Sequence, residues 1–196
     1  CSFAARAGPG RAGWSTIPAM PELPEVETMC RGLAGIVGRR IERATFPRGR
    51  VRPLLVEPAR PVVARRLAGA EILAVGRRGK RVVIELATAG STAAGSVRRH
   101  WLVIEPRMTG LMLVVEPPSA EHVRLVVDLA GPVSPGRFLF WDRRGLGTIR
   151  LLDARGLEAA CGAATLGPDG LGITGDELAG RLGRSQRAVK AAPLDQ

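Results

Sequence analysis

The sequence is poor in everything that would place it in a membrane or staple it covalently. No run of about 18 uncharged apolar residues occurs, which argues against a membrane-spanning helix. Its three cysteines, Cys1, Cys30 and Cys161, lie too far apart for a Cys-x-x-Cys knuckle or a dense disulfide frame, so a reducing compartment is expected. Acids are scarce, with 18 Asp+Glu against 29 Lys+Arg, which leaves a formal net charge of +11. That surplus makes a polyanion the default partner, and nucleic acid is the commonest one. Lysine is scarcer still: Lys80 and Lys190 stand beside 27 arginines. An ammonium can lose its proton and join acid–base chemistry, whereas a guanidinium effectively cannot. A lysine that persists in so arginine-rich a chain marks either a position where a bare cation does not suffice or a leftover of the coding bias. The hydrophobic fraction of 45% is ordinary for a globular protein and excludes wholesale disorder.

Residues 1–19 hold two arginines, no acid and no clear period. They lack the apolar stretch of a secretory signal. They are read as an extension outside the working protein, with Met20 as its natural start. From Pro24 to Gly38, Val26, Met29, Leu33, Ile36 and Val37 follow helical spacing, with Pro24, Glu25 and Glu27 suiting the first turn and Gly38 the end. Short β-type runs follow at 72–75, 81–87, 101–105, 111–115, 122–129, 137–141 and 148–152, and Gly76–Lys80 reads as a hairpin tip. So many strands at this spacing predict a sandwich or barrel. Beyond about residue 155 the character changes: 166–171 is turn-rich, Thr174 and Glu177 form a candidate capping box, and a second helical run begins near Ser185. The expected fold is α+β. An extension (1–19) precedes a mainly β catalytic domain (20–155), a linker (156–174) and the start of a helical domain (175–196).

The segment Met20-Pro21-Glu22-Leu23-Pro24-Glu25-Val26-Glu27 carries most information. Helix initiation accounts for Pro24, Glu25 and Glu27 but not for Pro21-Glu22. If Met20 is the initiator and is removed, Pro21 presents a secondary amine with a pKa near 8, lowered by desolvation. Such an amine attacks an aldehyde-like carbon and forms an iminium directly. The adjacent Glu22 is placed to act as an acid.

Pro-Glu-Leu-Pro-Glu-Val-Glu-Thr at 21–28 resembles the amino terminus of bacterial formamidopyrimidine-DNA glycosylases. Further matches follow in order: Arg77-Arg78-Gly79-Lys80 resembles that family's lysine-bearing hairpin and Arg107-Met108-Thr109-Gly110 its Met-Ser-Gly loop. Asp142-Arg143-Arg144-Gly145-Leu146-Gly147 resembles its Asp-x-Arg-x-Phe-Gly loop, Leu166-Gly167-Pro168 its interdomain linker, and 188–190 with 194–196 the opening of its helix–two-turn–helix domain. The resemblance implies a bifunctional glycosylase and AP lyase that flips oxidised purines out of double-stranded DNA and excises them. Pro21 is implied as nucleophile, Glu22 as acid and Lys80 as proton-transfer and phosphate-contacting group, with Glu25 supporting the site. Met108, Arg144 and Leu146 are implied to fill the gap left by the extruded base. His122 and Lys190 are implied as further DNA contacts. Arg39, Arg40, Arg48, Arg50, Arg52, Arg77, Arg98 and Arg99 are candidates for sequence-independent phosphate binding. The implied setting is the bacterial cytoplasm, with the enzyme nucleoid-associated and monomeric and no membrane partner.

The sequence also departs from the family's pattern. Glu105 stands where many members have a DNA-contacting histidine, Leu146 replaces an aromatic, and Pro193 falls where a helical leucine is expected. The chain stops before the family's Gly-x-Gly-Asn segment and four-cysteine zinc finger, so neither a metal site nor another cofactor is expected within it. An endonuclease VIII-type enzyme for oxidised pyrimidines is the near alternative, disfavoured by Leu23 where that type has glycine. A non-catalytic DNA-binding or lesion-sensing protein follows if residues 1–19 stay attached. An unrelated amino-terminal-proline enzyme for small carbonyl compounds is disfavoured by the basic surface.

Overall fold

The computed structural model describes residues 21–48, 52–89 and 97–184. The fold is α+β, as the sequence predicts, and is built on two sheets. Helix α1 (Leu23–Gly32) is followed by a 3-10 turn (Ala34–Ile36) and strand β1 (Ile41–Thr45). Next come β2 (Leu55–Glu57), α2 (Arg60–Leu67), β3 (Glu71–Arg78), β4 (Arg81–Ala89), β5 (Val97–Glu105) and β6 (Gly110–Leu113). Strands β7 (Val123–Leu129), β8 (Arg137–Asp142) and β9 (Thr148–Leu152) precede α3 (Ala154–Cys161), α4 (Ala163–Leu166) and α5 (Gly175–Leu182).

One sheet runs β1-β7-β8-β6 and the other β2-β9-β5-β4-β3. All pairings are antiparallel except β2 with β9. Helix α1 touches β3 and β6, the edge strands on one side of the sandwich, while α2 touches β1 and β2 on the other. Each open side is thus closed by a helix, which shields strand edges that would otherwise remain templates for pairing. Val26, Met29, Leu33 and Ile36 supply the buried face of α1 and its turn, and Phe138, Phe140, Ile84, Leu102 and Ile104 fill the centre.

Strands β4 and β5 are apolar on both faces. Val82, Ile84, Leu102 and Ile104 face the sandwich core, while Val83 and Val103 pack against Leu157 and Cys161 of α3. The segment 156–174 expected as a linker therefore opens with packed helix, and its irregular part begins at Gly167. Asp153 caps α3 by accepting from the Gly156 N–H at 2.8 Å. The first helix is also shorter than its apolar period suggests. It ends at Gly32, and Gly38, at φ +79°, turns the chain so that its N–H reaches the Ile72 carbonyl at 2.8 Å. The capping residue at 174 behaves as its sequence suggests: Thr174 Oγ1 accepts from the Glu177 N–H at 3.2 Å.

Candidate active site and nucleic-acid interface

Two groups of residues predicted from sequence come together. The first forms where the start of α1 meets the β3–β4 hairpin. Strand pairing runs to Arg78 opposite Arg81, so Gly79 and Lys80 alone make the turn. Gly79 has φ +57° and Lys80 has no positive φ, the pattern of a type II′ hairpin. A side chain at Gly79 would also meet the Leu166 methyl at 3.3 Å. The tight turn projects Lys80 to Glu22, with Nζ and Oε2 2.6 Å apart and both side chains nearly half exposed. Glu22 sits at the N-cap of α1, where its own N–H donates to Glu25 Oε2 at 3.1 Å. That bond fixes the chain direction at Glu22 and hence at the buried Pro21 beside it.

Arg77 holds this corner from behind. Its guanidinium, 4% exposed, donates to both Asp169 carboxylate oxygens at 2.7 Å, to Glu27 Oε2 at 3.2 Å and to the Gly79 carbonyl at 3.0 Å. Helix, hairpin and the segment after α4 are thereby tied together. The Arg77 bond and the Leu171 N–H hold Asp169 below the usual carboxylate range. Arg31 and then Arg77 do the same for Glu27. Cys30, next to this network, donates from Sγ to the Gly76 carbonyl at 3.1 Å, and burial pushes its thiol up to about 11.

The second group is organised by Asp142, which is fully buried at the end of β8. Its carboxylate accepts from Thr109 Oγ1 at 2.6 Å, the Arg144 N–H at 3.1 Å and the Gly147 N–H at 2.9 Å. Loops 106–109 and 143–147 are thereby fixed to each other. Arg107 adopts φ +53°, which aims the loop outward, and Gly110 must lack a side chain because a Cβ would lie 2.5 Å from the Pro106 carbonyl. Arg144 Nη1 then reaches Met108 Sδ at 3.1 Å. Leu146 lines a cavity of about 560 Å³ together with Met108 and Arg107. Met108 and Leu146, both half-buried, and the exposed Arg144 thus lie on the two loops that Asp142 holds together.

Other sequence-derived candidates have different surroundings. His122 is 17% exposed, packs edge-on against Trp141 at 5.7 Å and has Glu121 at 3.1 Å from Nε2, a packing position on the β7–β8 layer. Lys190 and Arg50 lie outside the described residues. Arg39 donates to the carbonyls of Ala130, Val133 and Pro135 and so secures a loop, Arg77 is internal, and Arg99 pairs with Glu85 at 2.7 Å. Glu105, where a histidine is usual, is flanked by Arg107 at 3.4 Å and Arg81 at 3.9 Å, so neighbouring cations offset its charge. The role of Asp169 has no clear signature in the sequence beyond an isolated acid in a Gly/Pro turn. Among the described residues no three His, Cys, Asp or Glu side chains converge to hold a metal ion. Cys30 and Cys161 are both free and buried, and Cys30 donates to the Gly76 carbonyl.

A model of the formamidopyrimidine-DNA glycosylase N-terminal domain matches residues 20–149. The chain belongs to this family. A formamidopyrimidine-DNA glycosylase from Chloroflexus aggregans is 39% identical over 188 residues, covering 90% of this chain and 60% of the relative. One from Cereibacter sphaeroides is 36% identical over 190 residues, covering 90% and 61%. The chain thus spans about three-fifths of the length of these family members. A Lactococcus lactis Fpg in complex with abasic-site DNA superposes with a TM-score of 0.65 at 25% identity, covering 89% of this chain and 61% of that one. A Lactococcus lactis FPG variant with Fapy-dG-containing DNA gives 0.55 at 27% identity, covering 71% and 46%. The family match includes Pro21, Glu22, Lys80, Met108, Arg144 and Leu146, so both residue clusters lie within the formamidopyrimidine-DNA glycosylase N-terminal domain.

Proposed function

We propose that this chain is the catalytic portion of a base-excision DNA glycosylase and AP lyase for oxidised purines such as 8-oxoguanine and formamidopyrimidines. The observation that carries the reading is the 2.6 Å contact between Lys80 Nζ and Glu22 Oε2, beside the start of α1 at Pro21. This places a proton donor–acceptor pair next to the residue whose nitrogen becomes a secondary amine once everything before it is removed. The amine attacks C1′ of the extruded nucleotide; the N–C1′ bond forms as the glycosidic bond breaks, and the base leaves with the bonding pair. The departing base, which carries the bonding pair away, takes the N–H proton of the attached nitrogen; protonation of the ring oxygen by Glu22 then breaks the C1′–O4′ bond, and the freed nitrogen lone pair completes the iminium. Loss of a C2′ proton then expels the 3′-phosphate, and a second elimination expels the 5′-phosphate. Lys80, coupled to Glu22, is suited to relaying these protons and to pairing with a phosphate beside the lesion.

The grouping of Met108, Arg144 and Leu146 on two joined loops supports insertion into the base stack, with apolar bulk from Met108 and Leu146 and a cation from Arg144 to face the orphaned base. DNA binding would draw on the surplus of positive charge. Monomeric action belongs to the same proposal. No helix among the described residues is long and apolar enough to cross a membrane. Borohydride reduction during incubation with an 8-oxoguanine oligonucleotide tests the reading. A chain starting at Pro21 is expected to give a covalent adduct, and one retaining residues 1–20 is expected to give none. Equal trapping by both would overturn the amine assignment. Preferential trapping on an oxidised pyrimidine would overturn the purine assignment.

A further inference from the structure

The contact between Lys80 Nζ and Glu22 Oε2 joins two side chains that are both nearly half exposed. An ion pair in that setting contributes little and does not by itself hold two long side chains in one geometry. The 2.6 Å separation therefore comes from the backbone positions of the two residues. Lys80 follows Gly79 in the hairpin turn, and Glu22 precedes Leu23 at the start of α1. Whatever fixes Gly79 and Leu23 against each other fixes the pair.

One side chain reaches both elements. Arg77 Nη1 donates to the Gly79 carbonyl at 3.0 Å and so holds the peptide unit that joins Gly79 to Lys80. Its Nε donates to Glu27 Oε2 at 3.2 Å, on the helix that Glu22 caps. Glu27 is shared with the exposed Arg31, 3.0 Å away, whereas both Asp169 oxygens accept from Arg77 Nη2 at 2.7 Å. Asp169 is itself anchored. Its Oδ1 also accepts from the Leu171 N–H at 3.0 Å, and its carbonyl accepts from the Gly172 and Ile173 N–H groups. The segment from Leu166 to Gly170 also abuts both neighbours of the pair. A Cβ at Gly79 would lie 3.3 Å from a Leu166 methyl, and one at Gly170 would lie 3.4 Å from a Leu23 methyl. A cavity of about 310 Å³, lined by Leu23, Arg77, Gly79, Leu166 and Asp169 among others, leaves the turn room to shift. A guanidinium only 4% exposed does not stay in place once its main counter-charge is gone, because an unpaired buried charge is strongly disfavoured. Its departure frees the Gly79 carbonyl.

We propose that Asp169 is a positioning residue for the Glu22–Lys80 pair: through Arg77 it fixes the turn from which Lys80 meets the carboxylate. The catalytic consequence rests on the glycosylase and lyase reading, whereas the positioning itself does not. Within that reading Asp169 stands outside the reacting atoms and acts on the eliminations through Lys80.

Lysine-selective ¹³C labelling of the chain starting at Pro21 yields signals from two lysines, Lys80 and Lys190, so the contact is followed directly. Glu22→Gln defines where the Lys80 side-chain signal lies once the carboxylate is lost. Asp169→Asn is expected to move that signal most of the way there, and the conservative Asp169→Glu much less. In the Glu22→Gln background, Asp169→Asn is expected to move it hardly at all. Melting curves confirm that each variant is folded. Single-turnover cleavage of abasic-site DNA is the second readout. Asp169→Asn is expected to slow cleavage by about 10–100-fold, as a displacement of about 1 Å does, with the Kd for tetrahydrofuran-containing DNA within about twofold. A generally loosened fold would instead weaken binding in step with cleavage. A Lys80 signal unmoved by Asp169→Asn would overturn the proposal. A moved signal with unchanged cleavage would overturn its catalytic consequence. Failure of the unmodified chain to cleave abasic DNA would count against the lyase reading and leave the Lys80 signal to decide the positioning.

Discussion

Replacing Asp142 by asparagine keeps the shape of the side chain but turns one acceptor oxygen into an N–H donor. Three donors already point at that carboxylate, from Thr109, Arg144 and Gly147. One of them must lose its partner in a fully buried position, at a cost of about 1–3 kcal/mol. Asp142→Asn is therefore expected to lower the melting temperature and to loosen the two projecting loops, seen as faster amide exchange at Arg144 and Gly147. Unchanged exchange at those amides would show that the loops are held by something else. At the corner proposed to be catalytic, Glu22→Gln keeps the hydrogen-bonding shape and removes the acid. Single-turnover excision by the chain starting at Pro21 is expected to slow by about 10²–10⁴-fold, the usual worth of a positioned acid. Cys30 gives a third residue-level expectation. With its thiol pushed up to about 11 by burial, then by Glu27, it should resist alkylation at pH 8 in the folded chain and react once denatured.

At the level of elements, the most legible parts were those with strong local chemistry. The β3–β4 hairpin, its tip narrowed from the expected 76–80 to Gly79–Lys80, the strands from 72 to 152 and the cap at Thr174 follow the sequence, because turn glycines and capping hydroxyls act locally. Strand β1 and helix α2 were not foreseen. In Ile-Glu-Arg-Ala-Thr only Ile41 and Ala44 are buried, an interval of three that reads as neither strand nor helix alone. The register of β1 against β7 shifts between Ile41 and Arg43, and that irregularity accounts for the lost alternation. Helix α2 buries just Val63 and Leu67 amid three arginines, so its stability rests on β1 and β2, neighbours that belong to different sheets. Helix α3 runs into the stretch 156–174 expected as a linker, yet Leu157 is buried against Val83 and Val103. Leu157→Ala is expected to destabilise the chain by about 2–5 kcal/mol. A loss well under that in a denaturant melt would mean that α3 is not docked on the sheet.

Across the whole molecule, the Pro21–Glu22 motif and the lone hairpin lysine were readable because their chemistry is rare in this composition. The Arg77 clasp was not, since Glu27, Gly79 and Asp169 become neighbours only after three segments have packed. That clasp makes the docking of 167–171 dependent on pH. Asp169 is held below its unfolded value of about 3.9, so its stabilisation is present above that pH and is lost as pH falls through the lower folded value. Proteolysis near Gly170 should therefore accelerate below about pH 4, and Asp169→Asn should show the same acceleration at neutral pH with no further pH dependence there.

The central claim is that the Pro21 nitrogen forms the covalent link to DNA. Peptide mapping of the borohydride-reduced adduct, made from 8-oxoguanine DNA and the chain beginning at Pro21, tests it. The deoxyribose remnant is expected on the amino-terminal peptide, attached to the Pro21 nitrogen. A remnant carried instead by Lys80, with the amino-terminal peptide unmodified, would contradict it.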